Sequence, residues 1–116
     1  MEILERRKRL REEVLKRASA WAEALPFKAS AFLIGSYARG DFNLWSDVDL
    51  LLILEGLRGS PLERLKALDI PPGFQVIPIT KEEFRRLLAK GSPLSKEALE
   101  TGIVLRDDLK LKMTTS

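Results

Sequence analysis

The chain has 116 residues, of which 45% are hydrophobic and 32% are charged, and it contains no cysteine or histidine. This composition is typical of one compact soluble domain, and the missing residue types exclude disulfides, zinc sites of the Cys/His type and every thiol or histidine mechanism. The net charge of +3 is compatible with phosphate-bearing ligands but too small to indicate nucleic acid. No apolar run approaches the roughly 20 residues that cross a bilayer, and the charged N-terminus lacks the apolar segment of a signal peptide, so we expect a cytoplasmic protein without a membrane contact.

An amphipathic helix is predicted over residues 2–25, and it ends at Pro26 because proline cannot continue a helix. Its apolar residues recur at spacings of three and four: Leu10, Val14, Ala18, Trp21, Ala22 and Leu25. The opposite face is basic and is interleaved with glutamates; it carries Arg6, Arg7, Lys8, Arg9, Arg11 and Lys16. We interpret this face first as a solvated surface with ion pairs inside the helix, and second as a contact for a phosphate backbone.

Short apolar strands alternate with helices in the rest of the chain. Strands are predicted over 31–36, 47–54, 71–79 (after an initial turn) and 103–107, and helices over 60–68, 80–91 and 95–102. Two of these helices begin with a capping box, formed by Ser60 with Glu63 and by Thr80 with Glu83. Pro78 indicates an edge strand or the end of a strand.

The order of elements predicts one α/β (α+β) domain over residues 1–116, with a small mixed β-sheet and helices packed on it. Residues 1–25 form its N-terminal helix and residues 31–105 form its core. Residues 109–116 are predicted to be a frayed tail.

Two aspartates, Asp47 and Asp49, interrupt the apolar run of the second strand. Residues two apart share one face of a strand, so the two carboxylates project together while Val48 points to the other side. Their repulsion favours a cation between them, and oxygen ligands in a chain without histidine or cysteine suit Mg²⁺. The alternative without a metal is a pair that ends the strand and bonds turn amides.

A glycine-serine pair, Gly35 and Ser36, ends the preceding strand and would lie beside Asp47 if the two strands pair. Glycine lets a phosphate approach the backbone closely, and Ser36 can donate its hydroxyl and its amide hydrogen to phosphate oxygens. A short helix beginning over residues 37–39 would also favour an anion. The alternatives are an ordinary turn for the pair and a surface ion pair for Arg39.

The spacing from Gly35 and Ser36 to Asp47 and Asp49 resembles the signature of the DNA polymerase β-like nucleotidyltransferase superfamily, and the stretch ARGDFNLWSDVDLLL is similar to its minimal nucleotidyltransferases. The resemblance implies transfer of a nucleoside monophosphate from a nucleoside triphosphate to an acceptor hydroxyl. The triphosphate is ATP, which donates AMP, or another nucleoside triphosphate, which donates the corresponding monophosphate. It implies that Asp47 and Asp49 are catalytic and ligate Mg²⁺, with Mn²⁺ as an alternative ion. It also implies that Gly35 and Ser36 hold the triphosphate, with Arg39 as an auxiliary contact.

Gln75 stands where the pattern of this superfamily usually has a third carboxylate. An amide offers a metal one neutral oxygen, adds no negative charge and cannot act as a base. Glu83 is better explained as the cap partner of Thr80 than as a substitute, and Glu82 as a solvent-facing residue. The chain is therefore either a slow or one-metal transferase or a nucleotide-binding module without turnover.

A partner is expected because the chain has no residues left over for a domain that holds the acceptor. The resemblance implies a separately encoded, all-helical HEPN-type protein, with this chain as the antitoxin of a toxin-antitoxin pair that acts by adenylylating the toxin or by complexing with it. Trp45, in the loop before the aspartates, is a candidate contact residue, with core burial as the alternative. We do not expect nucleic acid as a partner, since aromatic residues are few and the basic helix mixes charge signs, and a homo-oligomer is left open.

Overall fold

The computed structural model describes residues 2–55, 60–66 and 68–112. Nine helices and strands lie in this part of the chain: α1 (Glu2–Glu23), β1 (Ala29–Ile34), α2 (Gly35–Arg39), β2 (Val48–Leu54), α3 (Pro61–Lys66), β3 (Phe74–Thr80), α4 (Lys81–Ala89), α5 (Pro93–Glu100) and β4 (Ile103–Asp107). None of the helices in these ranges is both long enough and apolar enough to span a membrane.

The four strands form one mixed sheet in the order β3-β2-β1-β4. β1 pairs antiparallel with β2 and with β4, whereas β2 pairs parallel with β3. The parallel pair requires a crossover connection, and α3 lies in it. Pro78 lies in β3, an edge strand, where one side has no ladder to interrupt. The predicted α+β class, the mixed sheet and the edge position of Pro78 are confirmed.

Helix α1 covers one face of the sheet. Its buried residues pack on alternate side chains of the strands in a single cluster, which includes Val14, Ala18 and Ala22 from the helix and Ala31, Leu33, Leu50, Leu52, Leu54 and Val76 from the sheet. Ala18 and Ala22 have no exposed surface, because their small side chains let the helix approach the strands closely. The helix ends at Glu23, two residues before the predicted end.

Helices α4 and α5 cover the opposite face. Phe84 of α4 and Ala98 of α5 have no exposed surface and join the intervening residues of the strands, Phe32, Ile34, Leu51, Ile53 and Ile79. The capping box that begins α4 is present, with the Thr80 amide donating to Glu83 at 2.8 Å and the Glu83 amide donating to the Thr80 hydroxyl at 3.1 Å. Glu82 is exposed, as predicted.

The predicted frayed tail is wrong for its described part, residues 109–112. Leu109 and Leu111 are buried in the cluster under α4 and α5. The Leu109 amide donates to the Ser30 hydroxyl at 3.1 Å, and the Leu111 amide donates to Oδ1 of Asp107 at 2.9 Å. Polar side chains of β1 and β4 therefore satisfy backbone amides of the tail, and the bond to Ser30 is a long-range interaction that the tail sequence does not show. Residues 113–116 lie outside the described residues.

Three helix and strand boundaries near the candidate site differ from the predicted ones. β1 covers 29–34 rather than 31–36, because Gly35 has a φ of 75° and turns the chain into α2. β2 begins at Val48, so Asp47 precedes the strand instead of opening it. α5 begins at Pro93 rather than at residue 95, since proline fits the first turn of a helix.

Candidate active site

The acidic pair lies at the start of β2, a central strand of the sheet. Asp47 is exposed just before the strand, and Asp49, its second residue, is partly buried. Val48 packs in the cluster under α1, and Leu51 packs in the cluster under α4 and α5. Because side chains alternate along a strand, Asp49 shares the face of Leu51, and this is the face that α5 covers.

Gly35 lies against Asp49 at the turn from β1 into α2. A Cβ atom added to this glycine would lie 2.4 Å from Oδ2 of Asp49, and its φ of 75° also favours glycine. Ile34 precedes Gly35 and lies opposite Asp49 in the β1–β2 register. Ser36 follows Gly35 and is partly buried. The glycine-serine turn thus lies beside the acidic pair, with Asp49 rather than Asp47 as the residue in contact.

Glu97 of α5 is a site residue that the sequence reasoning missed. Its Oε2 atom accepts a hydrogen bond from the Gly35 amide at 2.7 Å and another from Nη1 of Arg39 at 3.1 Å. The two partners belong to Gly35 and Arg39, two of the residues that were predicted to contact phosphate. Sixty-two residues separate Glu97 from Gly35 along the chain, so no local spacing could have indicated the contact.

Arg39, at the end of α2, lies between two carboxylates. Its Nε atom donates to Oδ2 of Asp41 at 3.2 Å, and its Nη1 atom donates to Glu97. The Arg39 side chain is 47% exposed, so these ion pairs are accessible to solvent and are each worth about 0.2 to 1 kcal/mol. The predicted surface ion pair is observed; a phosphate contact by Arg39 stays a prediction.

Two arginines of α1 hold the carboxyl end of α2. Arg11 donates to the carbonyl oxygens of Tyr37 at 2.8 Å and Ala38 at 3.0 Å, and Arg7 donates to the carbonyl oxygen of Gly40 at 3.1 Å. Cations are favourable at the carboxyl end of a helix, where carbonyl groups lack partners. The interpretation of the basic face as a solvated surface therefore does not hold at Arg7 and Arg11, which are partly buried and bind the carboxyl end of α2.

The electrostatic environment of Asp49 has an excess of negative charge. Burial raises the pKa of the Asp49 carboxyl above its ordinary value. The neighbouring charges of Asp47 and Glu97 raise this pKa further, and the positive charge of Arg39 opposes them without cancelling them. A cation beside Asp47 and Asp49 would relieve the repulsion, so the observed environment fits a bound metal ion.

The donor set favours an ion that is shared with a ligand. Within the described ranges, no group of three or more acidic side chains is arranged to hold a metal ion by itself. Two carboxylates leave most positions of a hard divalent ion to water and phosphate oxygens. Gln75, opposite Asp49 in the β2–β3 register, is exposed and contributes an amide at the place of the expected third carboxylate.

The loop between α2 and β2 presents apolar side chains to solvent. Trp45 is 90% exposed and Leu44 is 81% exposed, so the alternative of core burial for Trp45 is wrong. The Asn43 side chain accepts a hydrogen bond from the Trp45 amide at 2.8 Å, which fixes the backbone of the loop. A groove of about 510 Å³ separates this loop from α1 and is lined by Ile3, Arg6, Arg7, Leu10, Phe42, Asn43, Leu44 and Trp45.

The fold and the candidate site, a mixed sheet with an acidic pair at the start of a central strand and a glycine turn against that pair, agree with the nucleotidyltransferase class of protein. The family model described as nucleotidyltransferase domain matches residues 7–114, and the chain belongs to this family. Its general activity is therefore nucleotidyl transfer, and the family generally uses a nucleoside triphosphate and a divalent metal.

A solved structure of a presumed nucleotidyltransferase from Sulfolobus solfataricus is similar to this chain. The TM-score is 0.56 at 19% sequence identity, and the match covers 90% of this chain and 86% of that chain. At this identity the likeness shows a shared fold. None of the curated proteins compared with the sequence matches it.

Proposed function

We propose that the protein transfers AMP from ATP to an acceptor hydroxyl in a reaction that depends on Mg²⁺. The observation that carries the proposal is the close contact between Gly35 and Asp49, where a Cβ atom on the glycine would lie 2.4 Å from Oδ2 of the aspartate. This contact places a carboxylate that would ligate a metal ion beside the glycine-serine turn that would hold phosphate. Membership of the nucleotidyltransferase domain family supports nucleotidyl transfer in general.

The residues present fit defined roles in this reaction. Asp47 and Asp49 would hold Mg²⁺, or Mn²⁺ as the alternative ion, which when bound neutralises charge on the phosphate oxygens. Gly35 and Ser36 would hold the triphosphate through backbone amides and the serine hydroxyl, and Arg39 would add a charged contact.

The bond changes of the proposed reaction can be written without a histidine. The acceptor oxygen forms a bond to the α-phosphorus of ATP while the bond from that phosphorus to pyrophosphate breaks. The acceptor proton passes to solvent water, because the amide of Gln75 cannot accept it. Without a base at this position, we expect slow turnover.

The acceptor that we propose is a hydroxyl on a separately encoded, all-helical HEPN-type partner, with this chain as the antitoxin of the pair. The exposed Trp45 and Leu44 support this, because large apolar side chains beside Asp47 form a surface suited to protein contact. A partner seated on this loop would lie close to the acidic pair. The docked hydroxyl could then reach the α-phosphorus.

A second candidate function is a nucleotide-binding antitoxin that acts by complexing its partner with little or no transfer. The observation that favours it is Gln75, which lies opposite Asp49 and lacks the charge of a third carboxylate. The partner and its contact surface would be the same as for the enzyme. The two functions differ in whether the partner becomes covalently modified.

Transfer of labelled AMP tests the proposal. The protein and the product of a neighbouring gene are incubated with Mg²⁺ and α-labelled ATP, and the label on protein is measured. We expect transfer by the wild type and none by Asp47→Ala with Asp49→Ala. The exposed Asp69→Ala is the matched control for loss of an acidic side chain and should transfer normally.

Two results would contradict the proposed enzymatic function. Label that persists in the double alanine variant would remove the acidic pair from the reaction. A wild type that transfers no nucleotide from any of the four ribonucleoside triphosphates, yet binds its partner, would favour the binding module instead.

A further inference from the structure

We infer that Glu97 competes with the phosphates of the nucleotide for Gly35 and Arg39, and that its carboxylate leaves these two residues when the nucleotide binds. The inference rests on the proposed function, because it requires Gly35 and Arg39 to contact phosphate oxygens. It adds a residue of α5, far away in sequence, to the nucleotide site. It also predicts the direction in which that residue changes affinity.

One oxygen atom of Glu97 takes both groups at once. Oε2 accepts from the Gly35 amide at 2.7 Å and from Nη1 of Arg39 at 3.1 Å. A carboxylate oxygen and a phosphate oxygen are both anionic acceptors and make the same charge-assisted hydrogen bonds to amide and guanidinium donors. The amide and this guanidinium nitrogen are therefore engaged before a nucleotide arrives.

The Glu97 side chain can leave without moving its helix. The next residue, Ala98, has no exposed surface and packs in the cluster between α5 and the sheet, which fixes the helix backbone. The Glu97 side chain itself is 30% exposed, so rotation about its own bonds takes the carboxylate toward solvent. Arg39 keeps a second partner in Asp41 at 3.2 Å and stays beside the turn.

The charge of Glu97 also opposes an incoming phosphate. Asp47, Asp49 and Glu97 are three acidic side chains around one turn, and Arg39 is the cation among their described contacts. A phosphate that displaces Glu97 exchanges one anion for another at Arg39. The free energy needed to displace Glu97 is subtracted from the free energy of nucleotide binding.

A purely structural role for Glu97 would give the opposite result. If the carboxylate only braced the Gly35 turn, removing its charge would loosen the turn and weaken nucleotide binding. If the carboxylate competes, removing its charge strengthens nucleotide binding. The sign of the affinity change separates the two roles.

Calorimetric titration with ATP and Mg²⁺ tests the competition. We expect Glu97→Gln to bind ATP roughly threefold to tenfold more tightly than the wild type, the range for losing a partly exposed charged hydrogen bond. The glutamine keeps an oxygen that can accept from the Gly35 amide, and thermal melting verifies the fold. Glu100→Gln removes the same charge from an exposed position on the same helix and should bind as the wild type does.

A double-mutant cycle with Arg39 identifies the group for which Glu97 competes. In an Arg39→Gln background, the gain from Glu97→Gln should fall to less than half of its value in the wild type. An equal gain in both backgrounds would show that Glu97 does not compete for Arg39 and would overturn the inference.

The remaining outcomes separate this inference from the proposed function. If the wild type binds ATP and Glu97→Gln binds it equally well or more weakly, the competition is overturned while the nucleotide site stands. If the wild type, Glu97→Gln and Glu100→Gln all fail to bind ATP, the nucleotide site is absent and both proposals are overturned.

Discussion

Gln75 of β3 lies directly opposite Asp49 of β2 in the parallel register of the two strands. Ile79, four residues further along β3, packs on the face that α4 and α5 cover, so the alternation of the strand places Gln75 on the face of Asp49. An amide at this place supplies a neutral oxygen beside a carboxylate that already experiences an excess of negative charge.

We expect Gln75→Asp to increase AMP transfer roughly tenfold or more, because a third carboxylate adds a charged metal ligand and a potential base. The initial rate of label transfer at saturating Mg²⁺ measures this. Gln75→Asn is the matched control, since it shortens the side chain equally and adds no charge. Equal rates for the two variants would contradict the prediction, and activity found only in Gln75→Asp would favour the binding module as the function of the wild type.

We expect Asp49→Asn to raise the melting temperature of the metal-free protein by about 2 to 4 °C while abolishing transfer. The pKa of the Asp49 carboxyl is raised in the folded state, first by burial and then by Asp47 and Glu97. The folded state thus binds this proton more tightly than the unfolded state does, so the ionised carboxyl destabilises the fold at neutral pH and the penalty disappears as the pH falls below the raised pKa.

Melting in EDTA at pH 7.5 and at pH 4 tests this prediction for Asp49. The gain of Asp49→Asn should be largest at pH 7.5 and smaller at pH 4. Asp47→Asn, at an exposed position, is the control and should change the melting temperature less. A lower melting temperature for Asp49→Asn at pH 7.5 would show that the carboxylate stabilises the metal-free fold.

We expect Gly35→Ala to destabilise the protein by about 1 to 3 kcal/mol and to abolish ATP binding. The added Cβ would clash with Oδ2 of Asp49, and the alanine would have to adopt a φ of 75°, which residues other than glycine rarely adopt. Gly40→Ala is a matched control, because Gly40 has a φ of 93° with no atom within 4 Å of an added Cβ. Denaturant unfolding should show a smaller loss for Gly40→Ala, and equal losses would mean that contact with Asp49 is unimportant.

We expect Asp108→Asn to remove part of the acid sensitivity of the fold. A hydrogen bond from the Ala29 amide, together with Arg106, holds the pKa of the Asp108 carboxyl below its ordinary value of 3.8. The stabilisation is therefore present above about pH 3.8 and is lost as the pH falls through the lower pKa of the folded state. Urea unfolding between pH 2 and pH 6 should show a smaller difference between wild type and variant at the acid end. A difference that grows toward low pH would contradict this.

We expect Trp45→Ser to leave folding and ATP binding unchanged and to weaken binding of the helical partner. Trp45 is 90% exposed, and exposed substitutions usually change stability by less than about 0.5 kcal/mol. Trp21→Ala should instead destabilise the fold, because the Trp21 indole donates to the Asp69 carbonyl at 2.8 Å and its ring contacts Phe74. Partner affinity by calorimetry measures the effect, and unchanged affinity in Trp45→Ser would place the partner elsewhere.

The sequence predicted those features whose interactions are local. The capping box of Thr80 and Glu83 spans three residues, and the alternation of β2 follows from its own side chains, so neither depends on the rest of the fold. The family resemblance also placed Gln75 at the position of a third carboxylate on the third strand, whereas its register opposite Asp49 comes from the structure. The roles of Asp47, Asp49, Gly35, Ser36 and Arg39 in binding metal or nucleotide stay predictions.

Features that depend on how the helices and the tail pack on the sheet could not be predicted from the sequence. Glu97 reaches Gly35 only because α5 lies across the end of β1, and the apolar spacing of α5 is that of any amphipathic helix. Leu109 and Leu111 alternate with lysines and resemble an exposed tail, yet Ser30 and Asp107 bind their amides. The contacts of Glu97 with Gly35 and of Ser30 with Leu109 pair a side chain with a backbone group far away in sequence, which no local pattern encodes.

The bonds from Arg7 and Arg11 to α2 have a consequence for how the site tolerates sequence change. All three acceptors are backbone carbonyl oxygens, those of Tyr37, Ala38 and Gly40, rather than side chains. Substitutions along α2 that keep its helical shape therefore leave the attachment to α1 intact. Displacing the part of α1 that carries Arg7 and Arg11 would instead break these bonds to the carboxyl end of α2, the short helix that Gly35 begins.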